Sequence, residues 1–443
     1  MSAQPKRIVL TTFGSFGDVH PYMALALELK ARGHVAVIAT SEIYREKIEG
    51  AGLEFYPIRP DINGPDDPET EELLRKIMEP KTGGEFLLKE MVAPAVRDAY
   101  EDLYEAVRGA DLLVTHVITF AGPLVAQKTG IPWVSSVLAP VSLWSAHDPF
   151  VPPNMPWLAP LLRAAGATVN RGFMGLVRKL TDSWMEPVYQ LRRELGLPRG
   201  AHPLFEGQHS PACVLALFSE VIGRRQPDWP PQTVVTGFAF YDKKDETPTP
   251  PELLQFLDAG EPPIVFTLGS SAVFIADDFF HESIAAAKEL GRRAVLLIGD
   301  ARNRPREPLP DGIAAFDYAP YGELLPRSSL IVHQGGVGTT AQALRAGRPM
   351  LVVPYNHDQP DNAARIARLG VGRTVSRNGY RGARAVRELK ELLDNPAYAA
   401  RATEVAARVR SEHGAQKACE EIEKQLSEAG SRNKKERQLL SGS

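Results

Sequence analysis

The chain has 443 residues, 44% of them hydrophobic, with a formal net charge of −3 and two cysteines. That length exceeds one ordinary core and fits two α/β domains of about 200 residues each. The charge argues against a broad electrostatic nucleic-acid surface, Cys213 and Cys419 are too few and too distant for a disulfide framework or a zinc site, and no apolar run has the length of a signal peptide or membrane span; a soluble cytoplasmic protein, monomeric or weakly dimeric, is expected.

In chain order, the apolar run Ile8 to Leu10 leads into TTFGSFGDVHP (11–21). A helix is expected over about 21–32, because Pro21 suits a first turn whose N–H groups are unpaired anyway. Gly33 ends it, and 35–39 returns as a strand. Another strand follows Asp111 in DLLVTH (111–116) and ends at His116. The stretch from Trp144 to Leu180 is rich in Pro, Trp, Met and Leu between short polar segments. Phe120, Trp144, Met155, Trp157, Phe173 and Met174 are candidate walls for an apolar ligand, and this is the region that would meet a membrane if that ligand were a lipid. Proline and charge concentrate in QPDWPPQ, YDKKDETPTPPE and GEPP between Arg224 and Pro263, which marks a boundary between a first domain, 1–235, and a second, 236–400.

The second domain opens with the strand and turn IVFTLGS (264–270). Later, Leu330 to Val332 form a buried strand that stops at His333, followed by the turn HQGGVGTT (333–340). Glycines here let backbone amides approach a ligand, and a helix from about 339 to 346 aims its N-terminal amides at the same point, so an anion is expected. Gly347 and Pro349 end that helix, 350–353 is a further buried strand, and HDQPDN (357–362) follows. Residues 401–428 read as a helix crossing back to the first domain, and 429–443 as a mobile tail.

Gly336-Val-Gly338-Thr-Thr-Ala341 fits the G-x-G-x-x-G/A dinucleotide fingerprint, with Asp358 about twenty residues on, so an NAD-dependent dehydrogenase is one reading. Against it, residues 354–357 separate the acidic residue from the strand end, and no hydride-site constellation is apparent.

His333, the glycine turn, Thr339 and the Asp358-Gln359 pair together resemble the nucleotide-sugar motif of family 1 glycosyltransferases. The opening GSFGDVHP, carried by Gly14, Gly17, Asp18 and Pro21, is similar to the bacterial and sterol branches, so the resemblance spans nearly the whole chain. It implies an α/β protein of two Rossmann-like domains facing a central cleft, the GT-B fold. By this resemblance His333, Gly335, Gly336, Gly338 and Thr339 hold the donor diphosphate with Gly17 and Ser270, Asp358 and Gln359 bind the sugar hydroxyls, and Tyr318 of Tyr318-Ala319-Pro320 is the platform for the base. Many members carry a Glu eight residues after the His; here that position is Ala341, with Gln342 next. His357, which precedes the Asp-Gln pair, is a candidate for choosing among donors.

The implied activity is inverting, metal-independent transfer of a hexose from a nucleotide diphosphate sugar, UDP-glucose or dTDP-rhamnose in type, to a hydroxyl of a small apolar acceptor. No cofactor other than this co-substrate is called for. Asp18 stands where the plant branch has its catalytic His, and is a candidate general base or a helix cap. His20 is the competing base, being near neutrality in ordinary pKa. His116 falls at the plant Asp position and is expected to hydrogen-bond Asp18. A sugar-nucleotide epimerase shares this architecture but needs no acceptor cleft.

Overall fold

The computed structural model describes residues 4–62, 64, 67–242 and 248–441. Residues 243–247, within the expected boundary, and 442–443, at the end of the expected mobile tail, lie outside the described residues. Seven strands form one parallel sheet: β1 (Arg7–Thr11), β2 (Val35–Thr40), β3 (Glu54–Pro57), β4 (Leu112–Thr115), β5 (Trp133–Val137), β6 (Val214–Ala216) and β7 (Thr233–Val235), in the order β3-β2-β1-β4-β5-β6-β7. Six more form a second parallel sheet: β8 (Ile264–Thr267), β9 (Ala294–Leu297), β10 (Ile313–Phe316), β11 (Leu330–His333), β12 (Met350–Val352) and β13 (Gly372–Thr374), in the order β10-β9-β8-β11-β12-β13. The central strands are apolar without alternation because helices cover both faces; Ile8, Val9 and Leu10 are all fully buried, as are Leu330, Ile331 and Val332.

Each sheet reverses its strand order once, between β1 and β4 and between β8 and β11. The paired strands are in register there, Leu10 opposite Val114 and Ile331 opposite Val265. Crevices beyond the carboxyl ends of strands at such reversals are where open α/β sheets bind ligands. Asp18 and His116 follow β1 and β4, and Ser270 and the glycine turn follow β8 and β11, so both reversals carry the candidate residues.

The helices that frame the cleft are α1 (Phe16–Ala31), α2 (Pro68–Ile77), α3 (Ala159–Thr181), α4 (Val337–Ala346) and α5 (Gln359–Leu369). α1 starts five residues before the expected position and carries Pro21 inside it. The cause is a reciprocal cap: Ser15 is the N-cap, and the Asp18 carboxylate accepts its backbone N–H at 2.8 Å. This cap outweighs the hydrogen bond that Pro21 cannot donate to the preceding turn. The C-terminal tract is divided. α6 (Pro396–Arg410) lies on α4, whereas α7 (Gly414–Ser441) packs on α1, with Glu423 Oε2 2.9 Å from Arg32 and the Cys419 thiol facing Leu25 O. The tract expected as a mobile tail is therefore helical as far as Ser441.

The two units share their cores. Val137, Phe218 and Trp229 of the first cluster with Val265, Ile331 and Leu344 of the second, and Ile77 and Met78 at the end of α2 join Phe279, Tyr355 and Tyr380. Polar bonds fix the same seam. Arg365 on α5, 3% exposed, bonds the fully buried Asp361 at 2.6 Å and Ile222 O at 2.9 Å, and pairs with Asp148 of the first unit. Asp361 also accepts from Val151 N–H at 3.2 Å, and Asn356 donates to Ile77 O and Glu79 O at 3.0 and 2.8 Å.

Arg365→Met is expected to leave the fully buried Asp361 without its cation, while Asp148 keeps Arg368, and to lower stability by about 3–5 kcal/mol, read from urea unfolding. A loss under about 1 kcal/mol would show that the seam is held by its apolar contacts alone.

Candidate active site

The glycine turn is built from behind by His333. Its ring is fully buried; Nδ1 accepts the Gly335 N–H at 3.1 Å and Nε2 faces Met350 Sδ at 3.5 Å. Burial holds its pKa down to about 3, so the ring is neutral. The resemblance implies that His333 contacts the diphosphate; here both nitrogens are engaged inside the second unit, and the ring shapes the turn. Gly335 has φ +90°, and a Cβ there would lie 2.7 Å from Val352 Cγ1, so both conformation and space require glycine. Gly336 is the N-cap of α4 and brings no side-chain acceptor, which leaves the first-turn amides from Val337 to Thr339 aimed outward with the positive end of the helix dipole.

Gly269 and Ser270 close the same recess from the end of β8. Gly269 has φ +64°, and a Cβ there would meet Gln334 Nε2 at 2.3 Å and Thr339 Oγ1 at 3.2 Å. Gln334 was not singled out from the sequence, although it directly follows His333. Its amide lies between Gly269 and Gly336, with Oε1 buried and lacking a hydrogen-bond partner among the described residues. Tyr318, 57% exposed, stands just beyond β10.

Asp358 and Gln359 are tied into the turn. The Gln359 Oε1 accepts from the backbone of Tyr355 and Asn356 at 2.8 and 3.3 Å, so this end of the amide holds the loop. Asn362, also not singled out from the sequence, donates to Asp358 Oδ2 at 2.7 Å and to Gly335 O at 2.9 Å. Burial, reinforced by the charge of Asp18, pushes the Asp358 carboxyl up to about 7. The residue before it, His357, has φ +57°, an uncommon conformation for a non-glycine residue and one that tends to occur at functional sites.

Across the cleft, Asp18 lies in the first turn of α1. Its Oδ2 is held by Ser15, while Oδ1 stands 3.8 Å from His116 Nε2. That separation is longer than a hydrogen bond, so the expected Asp18–His116 bond is not made. The Ser15 cap turns the carboxylate away, and the His116 ring sits edge-on to Tyr22. Gly14, with φ +134°, makes room: a Cβ there would fall 2.3 Å from Asp18 Oδ2. Although 31% of the Asp18 side chain remains open, its place deep in the cleft pushes its pKa up to about 6, chiefly by desolvation, against the Ser15 hydrogen bonds. Burial pushes His116 down to about 4, so it is neutral near pH 7. His20 is turned elsewhere, stacked between Phe16 and Tyr241 at 5.1 and 5.0 Å.

The N-termini of α1 and α4 meet over this space. A Cβ on Gly338 would lie 3.7 Å from the Cα of Gly17. Of the candidate wall residues, Trp144 and Phe173 share an aromatic cluster through Phe150, at 5.0 and 6.1 Å. Trp144 also donates to Leu204 O at 3.1 Å. Met155 is half-buried nearby in sequence, while Phe120, 4% exposed, packs into the core of the first unit as helix 121–129 begins. No group of three His, Cys, Asp or Glu side chains that could hold a metal ion occurs among the described residues.

Comparison with known proteins agrees with this layout. Residues 282–429 match the model for the C-terminal domain of erythromycin biosynthesis protein CIII-like proteins, and residues 8–101 match the glycosyltransferase family 28 N-terminal domain. The O-mycaminosyltylonolide 6-deoxyallosyltransferase of Streptomyces fradiae is 32% identical over 94% of this chain and 97% of its own length. A sterol 3-beta-glucosyltransferase of Cryptococcus neoformans is 28% identical over 97% of this chain, which spans 28% of that longer protein. The crystal structure of the glycosyltransferase VinC in complex with dTDP superposes over 95% of this chain and all of VinC, with a TM-score of 0.67 at 19% identity. With two parallel-sheet units and a glycosyltransferase relative of nearly its own length at 32% identity, the chain belongs to the glycosyltransferases of the GT-B fold.

Proposed function

We propose that this glycosyltransferase moves a deoxyhexose from a dTDP-linked donor to a hydroxyl of a small apolar acceptor, inverting the anomeric carbon and needing no divalent metal. The observation that carries this reading is the meeting of the α1 and α4 N-termini, with Asp18 on one side and an uncapped glycine turn on the other. The names of the 6-deoxyallosyl-transferring relative and of the dTDP complex support a dTDP sugar over UDP-glucose.

In this scheme the diphosphate lies on the first-turn amides of α4 with Ser270 beside it, the sugar hydroxyls reach Asp358 and Gln359, and the base rests on Tyr318. The acceptor enters beside Trp144, Phe150 and Phe173. Asp18 Oδ1 carries no hydrogen bond among the described residues and is the oxygen that takes the acceptor proton. As the acceptor oxygen bonds to the anomeric carbon, the carbon–oxygen bond to the diphosphate breaks and its electron pair leaves with the phosphate. The α4 amides and dipole meet that charge, the task a metal ion performs elsewhere. Ser15 positions the base through its other oxygen, and His116, neutral and 3.8 Å away, adds no charge of its own.

Asp18→Asn keeps the cap geometry but removes the base, so kcat should fall by roughly 10²–10⁴ with dTDP affinity retained. Equal loss of affinity would assign Asp18 to donor binding instead. A base must be ionised, so kcat/KM should rise with pH through about 6 in the wild type, the limb belonging jointly to Asp18 and its neighbour Asp358. A profile flat from pH 5 to 8 would remove Asp18 from this role. Gly338→Val should weaken dTDP binding by roughly tenfold or more in calorimetric titration, the scale of one charge-assisted hydrogen bond. Tighter binding of UDP or NAD than of dTDP by the wild type would overturn the donor assignment.

A further inference from the structure

We propose that the outer face of α3, with Trp157 just before it, docks the enzyme onto the surface of an anionic lipid bilayer. Among the described residues eleven large apolar side chains are well exposed, and five of them fall between 157 and 180: Trp157 at 65%, Leu161 at 58%, Val169 at 56%, Leu176 at 54% and Leu180 at 62%. Apolar side chains gathered this way on a soluble protein mark an interaction surface rather than chance exposure.

The helix is not waiting to join the core, because its other face is already committed. Leu162, Asn170 and Thr181 are buried, and Asn170 donates to Ala146 O at 2.9 Å. The exposed stripe is left over after that packing is complete.

Charge identifies the occupant. Between Asp148 and Asp182 the sequence holds Arg163, Arg171, Arg178 and Lys179 and no acidic residue, in a chain whose net charge is −3. Arg171, Arg178 and Lys179 are exposed; Arg171 bonds His147 at 3.3 Å and Arg178 pairs with Glu206, which offsets part of its charge. A basic helix with an apolar face suits the headgroup boundary, where acyl chains take the leucines and anionic headgroups take the cations. A second copy of the chain suits it less, since a two-fold contact would oppose the stripe's cations to themselves. The helix lies on the bilayer and does not cross it: it carries four cations and a break at Gly166, and no described helix is long and apolar enough to span a membrane. Docking this way puts Phe173, which shares the stripe's face with Val169 and Leu176, and the aromatic cluster it joins next to the bilayer, the source of an apolar acceptor.

The test is flotation of the full-length protein with phosphatidylcholine vesicles, with and without phosphatidylglycerol. The wild type should float with the anionic vesicles only, less so at high salt. Leu176→Ser with Leu180→Ser should abolish flotation, and Lys179→Glu should reduce the partition coefficient roughly tenfold or more, since each charge near the surface is worth about 1 kcal/mol. Unchanged dTDP binding and circular dichroism in both variants separate loss of docking from loss of fold. No flotation of the wild type, or equal flotation with neutral vesicles, overturns the proposal. So does a dimer, seen by light scattering, that the double serine variant dissolves.

Discussion

The site depends on two helix N-termini that meet with Gly17 and Gly338 at the contact. Like ends of two dipoles repel, so this arrangement is costly until something negative lies between them. The protein supplies part of that charge itself, with Asp18 in the first turn of α1 and Asp358 at the head of α5. Both carboxyls sit where desolvation works against ionisation, and both pKa values rise. The glycines add no side chain of their own at that meeting point.

That meeting can be close because the two units are not loosely hinged in this structure. The first unit lends Ile77 and Met78 to the second unit's core, and Arg365 and Asp361 bind backbone and side chains of the first from within α5. The elements that carry the chemistry are therefore mounted on the same seam that holds the units together. His333, with its ring buried and its nitrogens engaged, makes the turn rigid.

Much of this layout was legible in the sequence, for reasons that are local. Parallel strands buried on both faces read as unbroken apolar runs, and glycines at 335, 336 and 338 followed by a helix announce an anion recess. Other features depend on partners far along the chain. His20 stacks on Tyr241, more than two hundred residues later, which no spacing rule reveals. The start of α1 was masked because Pro21 mimics a first-turn proline, while the stronger signal, Ser15 paired with Asp18, sat in the glycine loop. His333 could not be oriented from the sequence, since the way a strand-end ring turns depends on what fills the space behind it, here Met350. Gln334 and Asn362 were passed over because an amide side chain in a loop has no distinctive pattern until its partners are known.

Asn362 has one more implication. Its single amide group donates to the Asp358 carboxylate and to the carbonyl of Gly335, so the group proposed to meet the sugar and the turn proposed to meet the phosphate share one mechanical link. A sugar that displaces Asp358 also disturbs the loop on which its own leaving group rests. Discrimination between donors would then register in the rate of bond breaking as much as in the tightness of binding, and a poor sugar would be held yet turned over slowly.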